Sequence, residues 1–418
     1  MSATDDVRTL GRSRLSFATQ ADLDEFVQTL EAFETGQLGP DQWRGFRLVR
    51  GLYGQRQEDL HMIRVKVPQG VLNGEQLGAL AEVVERYSRG FGHITTRQNI
   101  QFHFVQLHDA ERAFERLAAT GLTTREACGN SVRNITACQY AGTAADEIFD
   151  VTPYAEALTR YFLRHPLSAS LPRKFKIAFE GCTEDHAYTG INDIGWRAAT
   201  RQDGGRRELG FRVTVGGGTA TMSRAGAVLF DFLPAGEMLN AAEAVVRVFH
   251  RLGDYQHKHK NRMKFLIKQL GWERFQTEVL QEYGVVRASG GQRLPFAPDA
   301  PPVEQAPDWP RPAESDITEI ARRATASAVK GPGFTPTVTP TLQIHAPAYV
   351  SWQRTNVRLQ KQSGYALVTV RLPLGDFTGE QMRIIGDLAA AYGDGAVRVT
   401  PDQNLVFRWV PTGYVEAL

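Results

Sequence analysis

Residues 68–102, PQGVLNGEQLGALAEVVERYSRGFGHITTRQNIQF, return 305 positions later as residues 373–407, PLGDFTGEQMRIIGDLAAAYGDGAVRVTPDQNLVF. The two stretches align without a gap and share eleven identical residues. Asn73 and Gln76 form a capping box at the start of a predicted helix, and Thr378 with Gln381 repeats it. The apolar stripe of the first helix consists of Leu77, Leu80, Val84 and Tyr87. We therefore expect a duplicated strand–helix–strand unit, each helix lying on a small antiparallel sheet, as two halves of one pseudo-symmetric domain.

The duplicated unit divides the rest of the chain, and an α+β fold is predicted throughout. The predicted regions are an N-terminal arm over 1–60 with one helix at 21–33, a first half domain over 61–120, an α+β domain over 121–289, a Pro-rich extended linker over 290–340 with a short helix near 317–329, and a second half domain over 341–418. Within the α+β domain we expect strands at 174–179 and 211–215, and helices at 238–252 and 261–283.

Composition excludes several classes of protein. The chain has 418 residues, of which 42% are hydrophobic and 22% charged, with a net charge of +2. These values are typical of a soluble globular protein of two or three domains and not of a dedicated nucleic-acid binder. We find no run of about 20 apolar residues and no signal peptide, so we expect no membrane partner and a cytoplasmic location.

The three cysteines, Cys128, Cys138 and Cys182, are widely spaced. An odd number without a C-x-x-C motif disfavours a disulfide framework and is typical of a reducing compartment. Three thiols cannot supply the four thiolates of an iron–sulfur cluster. We therefore predict no metal ligands in this chain.

The stretch 94–104 is predicted to be one strand with two different faces. Period-2 alternation places only polar side chains on one of them, namely Thr95, Arg97, Asn99, Gln101 and His103. In the second copy Arg97 becomes Asp402, and His103 becomes Arg408. A solvated outer face would also be polar, but divergence on this face alone indicates a site on one copy.

Further cations lie in separate segments. Lys174 and Lys176 share one face of a strand, where they repel each other unless water or an anion separates them. A solvated edge with protective lysines is the alternative. Arg133 lies in the turn-rich segment 128–138, and the alternative for this segment is an ordinary loop with buried thiols. The basic run 257–264 is either a solvated face or a phosphate or RNA contact. Together these residues predict an anion site.

Three motifs in this order, TTRQNIQFHF, GNSVRNITAC and LPRKFKIAF, make the chain similar to the siroheme-containing nitrite and sulfite reductases. The resemblance extends from about residue 45 to the end. It implies two ferredoxin-like half domains related by a pseudo-two-fold axis, together with a siroheme-reductase-type α+β domain. It also implies siroheme coupled to a [4Fe-4S] cluster, with sulfite reduced to sulfide or nitrite to ammonia. The implied electron donor is a ferredoxin or a flavoprotein.

The resemblance also assigns roles to residues. By position, the family's four basic residues around the substrate anion are Arg97, Arg133, Lys174 and Lys176. We predict siroheme contacts from the neighbouring polar residues Thr95, Gln98, Asn99, Gln101, His103, Asn130 and Asn134.

The family's cluster cysteines follow the second half domain as C-x5-C and C-x3-C, whereas this sequence ends at Leu418 without them. We therefore expect the N-terminal half, or a split subunit, of such a reductase, with the cluster on a C-terminal partner polypeptide. The alternative is a non-catalytic siroheme-binding or scaffold fragment. RNA binding through the ferredoxin-like sheets is disfavoured by the near-zero net charge.

Overall fold

A computed structural model describes residues 16–307, 314–327 and 346–418 as an α+β protein with three five-stranded sheets. The helices are α1 Gln20–Glu34, α2 Pro40–Val49, α3 Gly74–Tyr87, α4 Ala110–Ala118, α5 Thr152–Phe162, α6 Met238–Leu252, α7 Met263–Leu270, α8 Trp272–Ala288, α9 Glu314–Ser327, α10 Ala346–Asn356 and α11 Gly379–Tyr392. The strands are β1 Leu52–Gly54, β2 Leu60–Val65, β3 Val71–Asn73, β4 Phe91–Ile94, β5 Ile100–Gln106, β6 Thr136–Ala137, β7 Ile177–Glu180, β8 Ile194–Asp203, β9 Arg206–Val215, β10 Ala227–Pro234, β11 Val357–Leu359, β12 Tyr365–Val370, β13 Asp376–Thr378, β14 Ala396–Val399 and β15 Leu405–Pro411.

The two half domains exchange strands. Their sheets run β1-β2-β5-β4-β13 and β11-β12-β15-β14-β3, so each copy completes its sheet with the short strand of the other copy. Helices α3 and α11, which carry the predicted capping boxes, pack against each other. A Cβ atom at Gly386 would lie 3.1 Å from the Cα of Gly74, so two glycines permit this close approach. The predicted fold class of duplicated ferredoxin-like halves beside an α+β domain is confirmed.

Reciprocal hydrogen bonds explain why a glutamine recurs in both copies. Gln98 donates through Nε2 to the carbonyl oxygen of Val399 at 2.8 Å. Gln403 donates through Nε2 to the carbonyl oxygen of Ile94 at 2.7 Å. Ile94 and Val399 are themselves 305 positions apart. Each copy therefore donates a hydrogen bond to the carbonyl oxygen at the end of the equivalent strand in the other copy, and these bonds join the two halves.

The predicted continuous strand over 94–104 is wrong, because β4 and β5 are joined by a tight turn. The amide of Thr95 donates to the carbonyl oxygen of Asn99 at 2.8 Å. The Thr95 hydroxyl accepts from the amides of Arg97 and Asn99, each at 3.2 Å. Gln98 has a left-handed φ of 54°. This local bonding reverses the chain, so the period-2 assignment of faces fails across the turn and Arg97 lies near its tip.

The middle domain is built on the sheet β10-β9-β8-β7-β6, in which β6, β7 and β8 run parallel. Its core includes the rings of Phe179, Trp196 and Phe211, whose centroids lie 5.6–5.7 Å apart. Helix α6 matches its prediction. The predicted strands at 174–179 and 211–215 become the shorter β7 and the longer β9. The predicted helix over 261–283 is two helices, because Gly271 has a φ of 82° that ends α7.

Two predicted domain boundaries need correction. Strand β1 pairs with β2, so the first half-domain sheet begins inside the predicted arm. The described part of that arm, residues 16–60, carries two helices and not one. Part of the predicted linker is packed and not extended, since the Glu304 side chain is only 4% exposed and accepts hydrogen bonds from Arg408 and Trp409. The predicted short linker helix is α9, which packs on α11. Residues 308–313 and 328–340 of the predicted linker lie outside the described residues.

None of the helices in 16–307, 314–327 and 346–418 has both the length and the apolar character needed to cross a bilayer.

Candidate functional site

A cleft of about 740 Å³ lies where the turns of the two half domains meet the middle domain. The first half contributes the turn 95–99, the second half contributes 401–403, and the middle domain contributes residues before β7 and after Cys182. The cleft is lined by Arg64, His93, Thr95, Thr96, Arg97, Asn99, Gln101, Arg133, Thr136, Lys174, Lys176, Ala187, Tyr188, Ile191, Asn192, Thr219, Pro401, Asp402 and Gln403. All four basic residues predicted for the anion site therefore lie in one cleft.

Backbone oxygens hold the Arg97 guanidinium in place. Its Nη1 donates to the carbonyl oxygens of Asn134 at 3.1 Å and Ile177 at 3.2 Å, and Nη2 donates to the Asn192 side chain. Burial lowers the pKa of Arg97 to about 9, although the Asp193 carboxylate opposes the shift. The group therefore stays charged at neutral pH, in an orientation set by three different segments.

Arg133 is held by its own loop. Nε and Nη2 donate to the carbonyl oxygen of Gly129 at 3.1 and 2.6 Å, and Nη1 donates to that of Ala127 at 3.2 Å. Burial lowers its pKa to about 10, so it too remains charged. Since these acceptors are neutral, its positive charge is directed to the cleft without neutralisation.

Lys174 and Lys176 carry the most perturbed ammonium groups of the cleft. Neither Nζ makes a hydrogen bond or an ion pair within residues 16–307, 314–327 and 346–418. Burial, reinforced by neighbouring cations, lowers the pKa of Lys174 to about 8 and that of Lys176 to about 7. Both lysines therefore exchange protons close to neutral pH, and a bound anion would favour their charged form.

The buried carboxylate of Asp193 already has hydrogen-bond partners. Asp193 accepts from Arg262 at 2.8 and 2.9 Å and from the backbone amide of Lys176 at 2.8 Å. The lining residues include a single acid, Asp402, which accepts from the Tyr188 hydroxyl at 2.7 Å. Cations therefore outnumber carboxylates at the cleft, which favours an anionic ligand.

The basic run 257–264 supports the cleft from outside. Arg262 pairs with Asp193, and the buried Lys264 donates to the carbonyl oxygens of Thr219 and Thr221 at 2.8 and 2.7 Å. None of its residues lines the cleft. Phosphate or RNA contact by this run has no support in the structure.

The residues predicted to contact siroheme separate into three groups. Thr95, Asn99 and Gln101 line the cleft. Gln98 and Asn134 are buried and act as internal supports. Gln98 bonds Ala137 and Val399, and Asn134 donates to the carbonyl oxygens of Val67 at 2.6 Å and Arg97 at 3.1 Å. His103 and the exposed Asn130 are not among the lining residues. Cofactor contact by these seven residues remains a prediction.

Some lining residues were missed from the sequence. Arg64 alternates with the core residues Ile63 and Val65 and pairs with Gln101 across β2 and β5, so strand register could have found it. Asp402 is the counterpart of Arg97 in the repeat, so the repeat register could have found it. Tyr188 offered no such signal, because its contact with Asp402 joins loops 214 residues apart.

A cluster of potential metal ligands was also missed. Cys138, Glu180, Cys182 and His186 place one donor atom each within 4.8 Å of one another, against the prediction of no metal ligands. Cys128 is buried and lies outside this cluster.

Two protein-family models match this chain. The family described as "Nitrite and sulphite reductase 4Fe-4S domain" matches residues 128–286, and "Nitrite/Sulfite reductase ferredoxin-like half domain" matches 53–120 and 358–418. The chain belongs to the siroheme nitrite/sulfite reductase family. The cleft thus lies between the two half domains and the middle domain of a nitrite/sulfite reductase family member.

Relatives in this family include enzymes for both anions. A ferredoxin–nitrite reductase of Synechococcus elongatus is 31% identical over 367 residues, covering 85% of this chain and 60% of the relative. Sulfite reductase [ferredoxin] 1 of Mycolicibacterium paratuberculosis is 27% identical over 358 residues, covering 85% of this chain and 54% of the relative. The NirA protein of Mycobacterium tuberculosis shares the fold, with a TM-score of 0.69 at 23% identity, covering 99% of this chain and 70% of that chain. The chain thus spans little more than half the length of these two reductases.

Proposed function

We propose that this chain forms the siroheme- and substrate-anion-binding part of an enzyme that reduces sulfite to sulfide or nitrite to ammonia. The observation that supports this most is the convergence of Arg97, Arg133, Lys174 and Lys176 on one cleft. Cations from separate segments repel one another, and a cation 4 Å from an anion gains about 4 kcal/mol at an effective dielectric of about 20. An anionic substrate therefore accounts for a cluster that is costly without one.

The cleft residues fit siroheme on charge. Siroheme is ringed with carboxylates, and the ammonium groups of Lys174 and Lys176 have no anionic partner among the described residues. Arg64, Thr95 and Gln101 also line the cleft and would hold these carboxylates through charge and hydrogen bonds. When bound, siroheme supplies the iron that passes electrons to the substrate.

The chain's own residues account for anion binding and proton supply. Arg97 and Arg133 present fixed guanidinium donors to the substrate oxygens. Lys176 and Lys174, with pKa values of about 7 and 8, donate a proton from Nζ to a departing oxygen and recover it from solvent. The arginines thus bind while the lysines exchange protons, which matches the different pKa values of the two pairs.

The [4Fe-4S] cluster does not fit the residues of this chain. Its four thiolates exceed the three cysteines, and only Cys138 and Cys182 lie near each other. We propose that a second polypeptide or further segment with two cysteine pairs carries the cluster. A ferredoxin is the proposed electron donor, because relatives are ferredoxin-dependent nitrite reductases.

Reconstitution tests this proposal. The 418-residue chain alone, supplied with siroheme, should bind it weakly and should not reduce sulfite or nitrite in a dye-coupled assay. Co-expression with a polypeptide bearing the two cysteine pairs should restore turnover. In that complex Lys176→Met should lower kcat/KM about a hundredfold, whereas Lys260→Met, at an exposed position outside the cleft, should leave it unchanged.

Two results would overturn the proposal. Robust turnover by the chain alone would refute the need for a second cluster-bearing component. Siroheme binding without turnover in the complex would instead favour the non-catalytic scaffold.

A further inference from the structure

The cluster of Cys138, Glu180, Cys182 and His186 forms at the ends of two neighbouring parallel strands. Strand β6 pairs with β7, and the amide of Cys138, immediately after β6, donates to the carbonyl oxygen of Phe179 at 3.0 Å. Glu180 ends β7, and Cys182 follows two residues later. Since the carboxyl ends of parallel strands meet at one sheet edge, the fold brings two thiols together although 44 positions separate them.

The distances match the ligand shell of a single ion. The sulfurs of Cys138 and Cys182 are 3.7 Å apart, and the Cys138 sulfur lies 3.7 Å from His186 Nδ1. His186 Nδ1 lies 3.8 Å from Glu180 Oε2. Tetrahedral zinc, with Zn–S of about 2.3 Å and Zn–N of about 2.0–2.1 Å, separates its ligand atoms by about 3.4–3.8 Å. These three separations therefore match tetrahedral zinc, and all four ligand atoms lie within 4.8 Å of one another.

We propose that Cys138, Glu180, Cys182 and His186 bind one zinc ion. Four protein ligands leave no open position, which is the pattern of a structural site. Two thiolates and an imidazole are ligands that favour zinc over magnesium or calcium.

Surrounding groups orient two of the ligands. Glu180 accepts from the amides of Cys182 at 2.8 Å and Ala187 at 2.9 Å, which fixes its carboxylate. His186 directs Nδ1 into the cluster, while its Nε2 faces the Glu184 carboxylate at 3.2 Å and the Arg358 guanidinium at 3.4 Å. An outer carboxylate on the second ring nitrogen is the usual support of a zinc-bound histidine.

Other occupants fit less well. A [4Fe-4S] cluster needs a wider set of four thiolates, whereas this set has two, and all its ligand atoms lie within 4.8 Å. A disulfide requires sulfurs about 2.05 Å apart. A metal-free cluster would leave the buried Glu180 carboxylate against the partly buried His186 beside two thiols, and this is the alternative that the experiment must exclude.

Zinc at this position would also stabilise the cleft that contains the four basic residues. His186 belongs to the segment 181–188, whose last two residues, Ala187 and Tyr188, line the cleft. The ion would tie this segment to β6 and β7 and so hold one wall of the cleft. This inference does not depend on the proposed reductase function, because metal binding is measured without siroheme or substrate.

The test uses the full 418-residue chain, purified reduced and anaerobically. We expect one zinc per chain by elemental analysis, and Co²⁺ added after zinc removal should give the intense visible bands of a tetrahedral thiolate site. Cys182→Ser and His186→Ala should each weaken zinc binding at least a hundredfold in competition with a chelator. Cys128→Ser, at a buried thiol outside the cluster, is the matched control and should bind zinc normally.

Several results would overturn the proposal. They are a zinc-free protein without the cobalt bands, four irons with four acid-labile sulfides per chain, and a Cys138–Cys182 disulfide in the anaerobic protein. Equal loss of zinc in Cys128→Ser would also contradict it. If the cluster variants do not fold, the cobalt titration of the unmodified chain decides.

Discussion

The two turns of the duplicated unit, 95–99 and 400–404, keep the same internal bonds and present opposite charges. In each turn the threonine hydroxyl accepts from the asparagine amide, at 3.2 Å in the first and 3.0 Å in the second. Both turns reach the same cleft, yet the first presents Arg97 and the second presents Asp402. Side chains that satisfy the backbone were retained, whereas the residue that faces the cleft diverged.

A second pair of equivalent positions, His103 and Arg408, differs in burial and ion pairing. Arg408 is 2% exposed and pairs with Glu304 at 2.7 Å and Asp394 at 3.1 Å. His103 is partly buried and has no carboxylate partner among the described residues. One copy therefore uses the position to fix the packed segment around Glu304, and the other does not.

The largest expected effect tests this second pair. Arg408→Met should lower the free energy of unfolding by about 3–5 kcal/mol, because it removes the cation that pairs with the buried carboxylates of Glu304 and Asp394. His103→Ala should cost less than about 1 kcal/mol. Urea denaturation measures both, and equal losses would contradict the asymmetry.

The charge difference between the turns should appear in anion affinity. Arg97→Gln should weaken nitrite binding about a hundredfold, or about 2.7 kcal/mol, since it removes a fixed cation from the cleft. Asp402→Asn should instead strengthen binding a few-fold, because it removes the carboxylate of the lining. Calorimetric titration of the chain with nitrite measures the affinity of both variants. Weaker binding in Asp402→Asn would contradict the prediction that the two turns have opposite effects on anion affinity.

The reciprocal glutamines should both matter for stability, but unequally. Gln98 is fully buried and makes three hydrogen bonds to backbone groups, so Gln98→Ala should cost about 2–3 kcal/mol. Gln403 is only partly buried, and Gln403→Ala should cost about 1–2 kcal/mol. Thermal and urea unfolding of both variants measures the difference. If Gln403→Ala left the free energy of unfolding unchanged, the hydrogen bond from Gln403 to Ile94 would not contribute to stability as its counterpart from Gln98 to Val399 does.

The smallest effect separates the arginines from the lysines. Lys176 faces the cations Arg97, Arg262 and Lys174 and the carboxylate of Asp193, and its pKa is about 7. As pH rises from 6.5 to 8.5, Lys176 and Lys174 lose most of their charge while Arg97 and Arg133 stay mostly charged, so nitrite affinity should fall about tenfold. Nitrite keeps its charge over this range.

A matched pair of variants checks the assignment. Lys176→Met should weaken the pH dependence of nitrite binding and leave only the part due to Lys174, whereas the exposed Lys260→Met should keep the full profile. An unchanged profile in Lys176→Met would assign the titration to another group.

Much of this architecture was readable from periodicity and repetition. The capping boxes of α3 and α11 and the apolar stripe of the first helix depend on neighbours three or four residues away, and these local interactions predicted the helices correctly. The strand over 94–104 was misjudged because alternation does not reveal a turn whose bonds come from Thr95 itself. The break at Gly271 was likewise hidden inside an apolar pattern.

The sequence by itself determined the duplication, the family resemblance and the identity of the four cations. Those depend on residue type and order, which need no coordinates. Only the tertiary structure decided that Arg97 and Asp402 share one cleft, that Gln98 is an internal support, and that two cysteines meet beside Glu180 and His186. Strand exchange and parallel pairing bring together residues tens to hundreds of positions apart, and no local pattern encodes such contacts.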